Sequence, residues 1–182
     1  MGRYLRAMPA CTPPPPPLAA VVAQAAAFVR ARVAPIATPT TCLAGDVPAG
    51  SGMATPGTIW MASSDATIYS RPARQWPPDR HIAVLHEVLH QVSMERGLEA
   101  EGDMATEEGA VEAVTHDFKP VWLRQMTGRD AAVAIAYPGW VSAVRRASAA
   151  ATRSAWKSAA ARAWRIQLVA TPPAGRQAAA GR

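Results

Sequence analysis

The amino-acid sequence predicts a small α+β domain that is mostly helical, with a short β-hairpin before its central helix. Its 182 residues suffice for one domain with a hydrophobic core. Hydrophobic residues make up 49% and charged residues 18%, a composition typical of folded chains. Apolar residues recur at helical spacing in several segments, whereas β-branched and aromatic residues cluster in two short runs.

Composition divides the chain into three regions. Residues 1–17 end in five consecutive prolines and predict a Pro-rich N-terminal arm outside the core. Residues 18–140 combine helix and strand patterns and are expected to form the domain that carries the chemistry. Residues 141–182 predict an Ala-rich helical C-terminal extension, because they hold eight basic residues and no acidic one.

In the first half of the chain, the pattern predicts one helix, a loop and a hairpin. Apolar residues at helical spacing predict a helix over 18–33. Residues 34–56 are rich in Pro, Gly and Thr and predict a loop. The runs 57–61 and 66–70 read as two strands of a hairpin joined by a Ser-Ser-Asp turn.

The second half of the chain is expected to be helical. Pro77-Pro78-Asp79 opens a helix that Gly97 ends, and His81 is expected on the surface of its first turn. A further helix is expected from Thr106 to about Phe118, where Pro120 breaks or kinks it. Segments 140–151 and 154–168 predict two Ala-rich helices or one continuous helix.

Charge limits the partners that we expect. Residues 79–117 hold ten acidic and two basic residues, so an acidic centre precedes the basic tail. This asymmetry argues against a uniformly basic nucleic-acid binder. It permits a tail that touches phosphate, but it favours a tail that is solvated or docked on the acidic stretch 95–108. Protein partners are expected to contact the arm and the tail. A membrane span is not expected, because uninterrupted apolar runs are too short.

The two cysteines leave the compartment open. Cys11 and Cys42 either form one bridge that ties down the arm or remain free thiols. The basic start is followed by prolines before any apolar run, which is a poor secretory signal. A cytoplasmic or particle-associated location is therefore favoured.

The segment His86-Glu87-Val88-Leu89-His90 carries the chemistry. Imidazoles at i and i+4 lie on one face of a helix, where both can reach one metal ion. A glutamate beside the first histidine can take a proton from a water that the metal activates. Chance alone gives about 0.003 such matches in a chain of this composition, so the segment predicts a metal site.

A third ligand must come from elsewhere in the chain. Arg96 stands where the extended metzincin motif has a third histidine, so a downstream carboxylate is the remaining candidate. Glu108 and Glu112 are the main candidates, and Asp103 is a weaker one. If Glu112 is the ligand, His116 or Asp117 takes the orienting role and Glu108 lies on the surface.

The segment HEVLH followed by EEGAVEAVTHD resembles the gluzincin group of zinc metallopeptidases, in particular compact peptidase-MA-like members. The resemblance covers about residues 57–117. It implies a zincin-like domain in which His86, His90 and Glu108 bind zinc. It also implies that Glu112, four residues after the ligand, orients the first histidine, with His116 next along the same stripe.

The resemblance further implies an activity. Glu87 would be the general base in the hydrolysis of a peptide bond, with a peptide or protein as substrate. An edge strand over 67–70 would pair with the substrate backbone. Tyr137 is a candidate for stabilising the oxyanion, although its Tyr-Pro-Gly turn is also compatible with packing alone.

A second interpretation is a non-catalytic or structural module with the same architecture. Proline-rich arms and basic tails are used by assembly proteins to reach their neighbours. Such a module would belong to an assembled particle, for example a phage, with or without zinc.

Overall fold

The structure is a computed structural model that describes residues 9–94 and 104–170. Six α-helices and three β-strands lie in these ranges, so the α+β class predicted from the sequence is confirmed. The helices are α1 (Pro16–Arg32), α2 (Ala66–Tyr69), α3 (Pro78–Met94), α4 (Met104–Thr127), α5 (Pro138–Thr152) and α6 (Ala159–Ala170). The strands are β1 (Thr40–Ala44), β2 (Gly52–Thr55) and β3 (Thr58–Ala62).

The three strands form one sheet in the order β1-β3-β2. β1 runs parallel to β3, and β2 runs antiparallel to it through a Pro56-Gly57 turn. Gly57 has φ +72°, which a glycine adopts without the steric cost of a side chain. Because β1 and β2 fall within 34–56, the prediction of a loop there is wrong. Both strands are short and lie at sheet edges, so their sequence periodicity is weak.

The hairpin lies earlier in the chain than predicted. The first predicted run forms β3, but its partner is β2, and the second run forms the single-turn helix α2. Tertiary context overrides the β propensity of Thr67-Ile68-Tyr69. A 3₁₀ turn leads directly into α2. The helical turn buries Tyr69, whose ring packs edge-on against Trp76 with 5.1 Å between ring centroids.

Helix α4 continues through Pro120, so the predicted break is wrong. A proline removes one backbone hydrogen bond, and here its ring lies on the exposed side. Trp122 and Leu123 beyond it are buried, so packing of the following turn outweighs the loss. At the other end of the fold, α5 and α6 are separate helices, because Arg153 ends α5 in the left-handed conformation with φ 49°.

One hydrophobic core joins most of the elements. It takes side chains from α1, α3 and α4, including Leu18, Leu89 and Val114, and α5 and α6 add Val141 and Leu168. The helices after residue 138 therefore belong to the same core as the central helix. Of the described helices, none is long and apolar enough to cross a membrane.

The N-terminal arm is attached to the outer edge of the sheet. Thr12 forms an antiparallel bridge with Leu43 of β1. A disulfide joins Cys11 to Cys42, which decides between the two alternatives that the sequence left open. The five prolines do not all belong to the arm, because Pro16 already begins α1, where a proline costs no hydrogen bond.

Candidate metal centre

Helix α3 brings three polar side chains into the core. His86, Glu87 and His90 are 9%, 7% and 5% exposed, with Val88 and Leu89 fully buried between them. Burying polar groups is unfavourable unless each finds a partner. The helix therefore requires other elements to supply partners at this point, and α4 supplies carboxylates that contact the two histidines.

Glu108 completes a group of three potential ligand atoms. The Nε2 atoms of His86 and His90 lie 3.0 Å apart, and Glu108 Oε2 lies 3.2 Å from the first and 3.5 Å from the second. Ligands at 2.0–2.1 Å around a tetrahedral ion are separated by about 3.3 Å, so the triangle has the size that zinc requires. His86, His90 and Glu108 can thus hold a metal ion.

Glu112 determines which ring nitrogen of His86 donates a hydrogen bond. Its Oε2 accepts a hydrogen bond of 2.9 Å from His86 Nδ1, and because a carboxylate has no proton to give, Nδ1 is the donor. The lone pair of neutral His86 then lies on Nε2, which faces Glu108 and His90. Glu112 Oε1 is occupied by the N–H of Ala136 at 2.8 Å, and His116 Nε2 lies 3.2 Å from it.

In the metal-free protein, a proton can take the place of a cation in this cluster. Burial alone lowers the pKa of His86, but hydrogen bonds to Glu108 and Glu112 outweigh it and raise the value to about 9. The pKa of His90 likewise rises to about 10, because Glu107 and Glu108 outweigh burial. Burial disfavours ionised Glu108, but its histidine partners lower its pKa. The surroundings thus favour positive charge at the centre of the triangle.

Glu87 lies beside the triangle and packs against strand β2. A Cβ atom at Gly52 would lie 2.4 Å from Glu87 Cγ, so the absence of a side chain there gives the carboxyl group its space. Burial, the largest effect, raises the pKa of Glu87, while the two histidines oppose that rise. The carboxyl group is thereby able to take up a proton.

The other candidate residues fall in different places. Tyr137 occupies the position before α5, and its ring stacks on Trp140. Asp117 pairs with Arg165 of α6 and not with the histidines. Asp103 lies outside the described residues. His90 Nδ1 lies 3.5 Å from Glu107 Oε1, a contact that the sequence did not indicate.

Three features of the structure were not predicted from the sequence. His81 was expected on the surface but is fully buried, stacked on Trp76 and within hydrogen-bonding distance of the Ala73 carbonyl. Gly52 leaves room for Glu87, and the Ala136 N–H donates to Glu112, but neither effect produces a sequence motif. The nearest indications in the sequence are the glycines of 45–52 and the Tyr-Pro-Gly turn after residue 136.

No protein-family model matches the chain, and neither a curated protein nor a solved structure matches it.

Proposed function

We propose that this chain is a zinc-dependent hydrolase of peptide bonds with a zincin-like domain. The observation that carries the proposal is the buried carboxyl group of Glu87 beside three converging ligand atoms, on the same helix as two of them. A structural metal site needs the ligands alone. An adjacent acid whose pKa is raised by burial is what hydrolysis additionally requires.

The donor set fits a catalytic ion. Two imidazoles and one carboxylate leave a fourth tetrahedral position open. When bound there, zinc would lower the pKa of water and polarise a substrate carbonyl. Glu112 supports this role because it holds His86 with the lone pair of Nε2 directed at the site.

Glu87 would move the proton. Its carboxylate accepts a proton from the attacking water and delivers it to the leaving amine. A pKa raised by burial brings the group closer to the working pH, where it can both take and give a proton. Gly52 has no side chain and so leaves the space that this carboxyl group occupies.

Strand β2 is the segment that would bind the substrate backbone. It takes the role expected of residues 67–70, which form the end of α2 and the turn after it and present no strand edge. β2 lies at the edge of the sheet, and its Gly52 contacts Glu87. Alternate residues of an edge strand direct their N–H and C=O groups outward, so an extended peptide can add to β2 next to the proposed base.

Tyr137 is the proposed oxyanion donor. Burial, the largest effect, and the charges of Glu108, Glu87 and Glu112 raise the pKa of Tyr137, so its hydroxyl stays protonated. A protonated hydroxyl can donate to the oxygen that becomes negative as the carbonyl is attacked.

The test is metal content and peptide cleavage measured together. We expect about one zinc per chain in protein purified without a metal-affinity tag. Glu87→Gln should keep the zinc and lose about 100-fold or more in rate, the usual effect of removing a general base. Asp79→Asn, an exposed carboxylate of the same helix, is the matched control and should change neither quantity.

Each result has a distinct meaning. If Glu87→Gln cleaves as well as the wild type, the catalytic assignment is wrong. If the wild type binds zinc but cleaves nothing in a broad peptide screen, the non-catalytic module is the better interpretation. If zinc is not bound even when it is supplied, the cluster is not a metal centre.

A further inference from the structure

Two exposed aromatic rings lie together at the start of α5. Tyr137 and Trp140 are 37% and 38% exposed, and their rings stack with 4.8 Å between centroids and 19° between planes. Exposed apolar surface that is contiguous, and not scattered singly, marks binding sites. Trp156 is comparably exposed, but Arg145 and Lys157 lie over its ring.

Each residue of the pair is connected to the helix that carries Glu108 and Glu112. The residue before Tyr137 donates its N–H to Glu112, which in turn orients His86. Trp140 packs on Gly109, the residue directly after Glu108. A Cβ at Gly109 would lie 2.9 Å from Trp140 Cβ and 3.1 Å from its carbonyl oxygen. The missing side chain therefore lets Trp140 approach the helix that carries the third ligand.

The charged groups near the pair are already engaged. Glu108 contacts both histidines, and Glu112 contacts His86, Ala136 and His116. The surface that the pair adds beside the site is therefore aromatic in character. Flat or branched apolar groups gain the most binding free energy from such a surface, because they bury apolar area and stack on the rings.

We propose that the Tyr137–Trp140 pair is a specificity subsite that binds an aromatic side chain of the substrate close to the bond that is cleaved. The proposal rests on the hydrolase function proposed above. The pair would select substrates because an aromatic side chain covers both rings, whereas a methyl group covers little of either.

The experiment uses alanine-based hexapeptides in which a single phenylalanine is moved through every position. Zinc-loaded wild-type protein should cleave one or two of these peptides about fivefold or more faster, in kcat/KM, than the all-alanine peptide. Trp140→Ala should remove this preference, so that kcat/KM for the phenylalanine peptides falls to the value that the same variant shows for the all-alanine peptide. Trp156→Ala, the matched control at another exposed tryptophan, should retain the preference.

A second variant distinguishes the effect of the Tyr137 ring from that of its hydroxyl group. Tyr137→Phe keeps the aromatic pair but lacks the proposed oxyanion donor, so it should lower kcat for every peptide and retain the preference for phenylalanine. Equal preferences in the wild type and Trp140→Ala would overturn the subsite, although the hydrolase proposal would stand.

A binding measurement keeps the subsite testable if cleavage is not found. Glu87→Gln protein loaded with zinc is titrated calorimetrically with the same peptides. Tighter binding of phenylalanine peptides, lost in the Glu87→Gln/Trp140→Ala double variant, would support the subsite whatever becomes of the catalytic proposal. The absence of any difference between phenylalanine and all-alanine peptides would overturn it.

Discussion

At the scale of single residues, the two carboxylates of α4 have different surroundings although they lie one helical turn apart. Glu108 faces the Nε2 atoms of both histidines. Glu112 is more deeply buried and accepts hydrogen bonds from His86 Nδ1 and the Ala136 N–H. A carboxylate whose oxygens are already engaged in this way orients a ligand and is poorly placed to be one itself.

The two carboxylates should therefore differ in their effect on metal affinity. Glu108→Ala removes a proposed ligand and should weaken zinc binding by more than about 100-fold. Glu112→Ala removes an orienting partner, for which about 10- to 100-fold is usual. Competition against a chelator of known affinity measures both variants. Loss of zinc in Glu112→Ala with full retention in Glu108→Ala would reverse the two roles.

Metal affinity should also depend steeply on pH. The pKa values of about 9 and 10 for His86 and His90 lie above the ordinary 6.5, so in the metal-free protein this cluster retains protons to a higher pH than free imidazoles do. Zinc needs their lone pairs and must displace one to two protons. Apparent affinity should therefore rise by about 10- to 100-fold per pH unit as the pH increases towards 9.

Chelator competition at several pH values tests this dependence. Calorimetry in buffers of different ionisation enthalpy counts the released protons independently. Histidines with unshifted pKa values would give an affinity that levels off above about pH 6.5. A flat profile between pH 7 and 8.5 would thus contradict the assigned cluster.

At the scale of secondary-structure elements, strand β2 is attached to α3 near both of its ends. Gln91 of α3 accepts the Gly57 N–H at 2.9 Å beyond one end of the strand. Near the other end, Asp65 accepts the Gly50 N–H at 2.7 Å and pairs with Arg80 of α3 at 3.0 Å. The strand edge and the helix with the proposed base are therefore held together as one unit.

A methyl group at Gly52 should disturb this unit. Gly52→Ala places its Cβ 2.4 Å from Glu87 Cγ, so the strand or the carboxyl group must shift. A shift of that size should lower the cleavage rate by about 10- to 100-fold while zinc stays bound. The matched control is Gly45→Ala, whose Cβ would meet Ser63 Oγ at 3.8 Å, an ordinary contact. Equal rates in the two variants would argue against a positional role for Gly52.

At the scale of the whole molecule, Arg165 joins the C-terminal helices to the rest of the fold. The sequence suggested a basic face that is solvated or docked on the acidic stretch 95–108, but Arg165 is fully buried. Its Nε donates to Asp117 of α4 at 2.8 Å, and its Nη1 donates to Ser148 of α5 and to the carbonyl of Trp156. One guanidinium thus connects α4, α5 and α6.

Removing this charge should destabilise the protein strongly. Arg165→Met leaves the carboxylate of Asp117 buried without its ionic partner, which costs about 3–5 kcal/mol of unfolding free energy. Arg162→Met removes an exposed arginine of the same helix and should change stability by less than about 0.5 kcal/mol. Urea denaturation compares the two variants. Similar denaturation midpoints for the two variants would show that the hydrogen bonds and ion pair of Arg165 contribute little to stability.

The sequence by itself determined the features that depend on local geometry. Helical periodicity places His86 and His90 on one face of α3 with Glu87 beside them, because four residues make about one helical turn. The same periodicity placed Glu108 and Glu112 one turn apart on another helix. The helical content and strand β3 were predictable for similar reasons, since each is encoded within a few neighbouring residues.

Only the tertiary structure decided how distant segments meet. It brought Glu108 to the histidines and gave Glu112 the Ala136 N–H as a partner. It also made β2, and not residues 67–70, the strand beside Glu87, and it buried Arg165. Such contacts depend on packing between elements that are far apart in the chain. The local sequence carries little signal for them, because a backbone N–H or the space above a glycine forms no pattern.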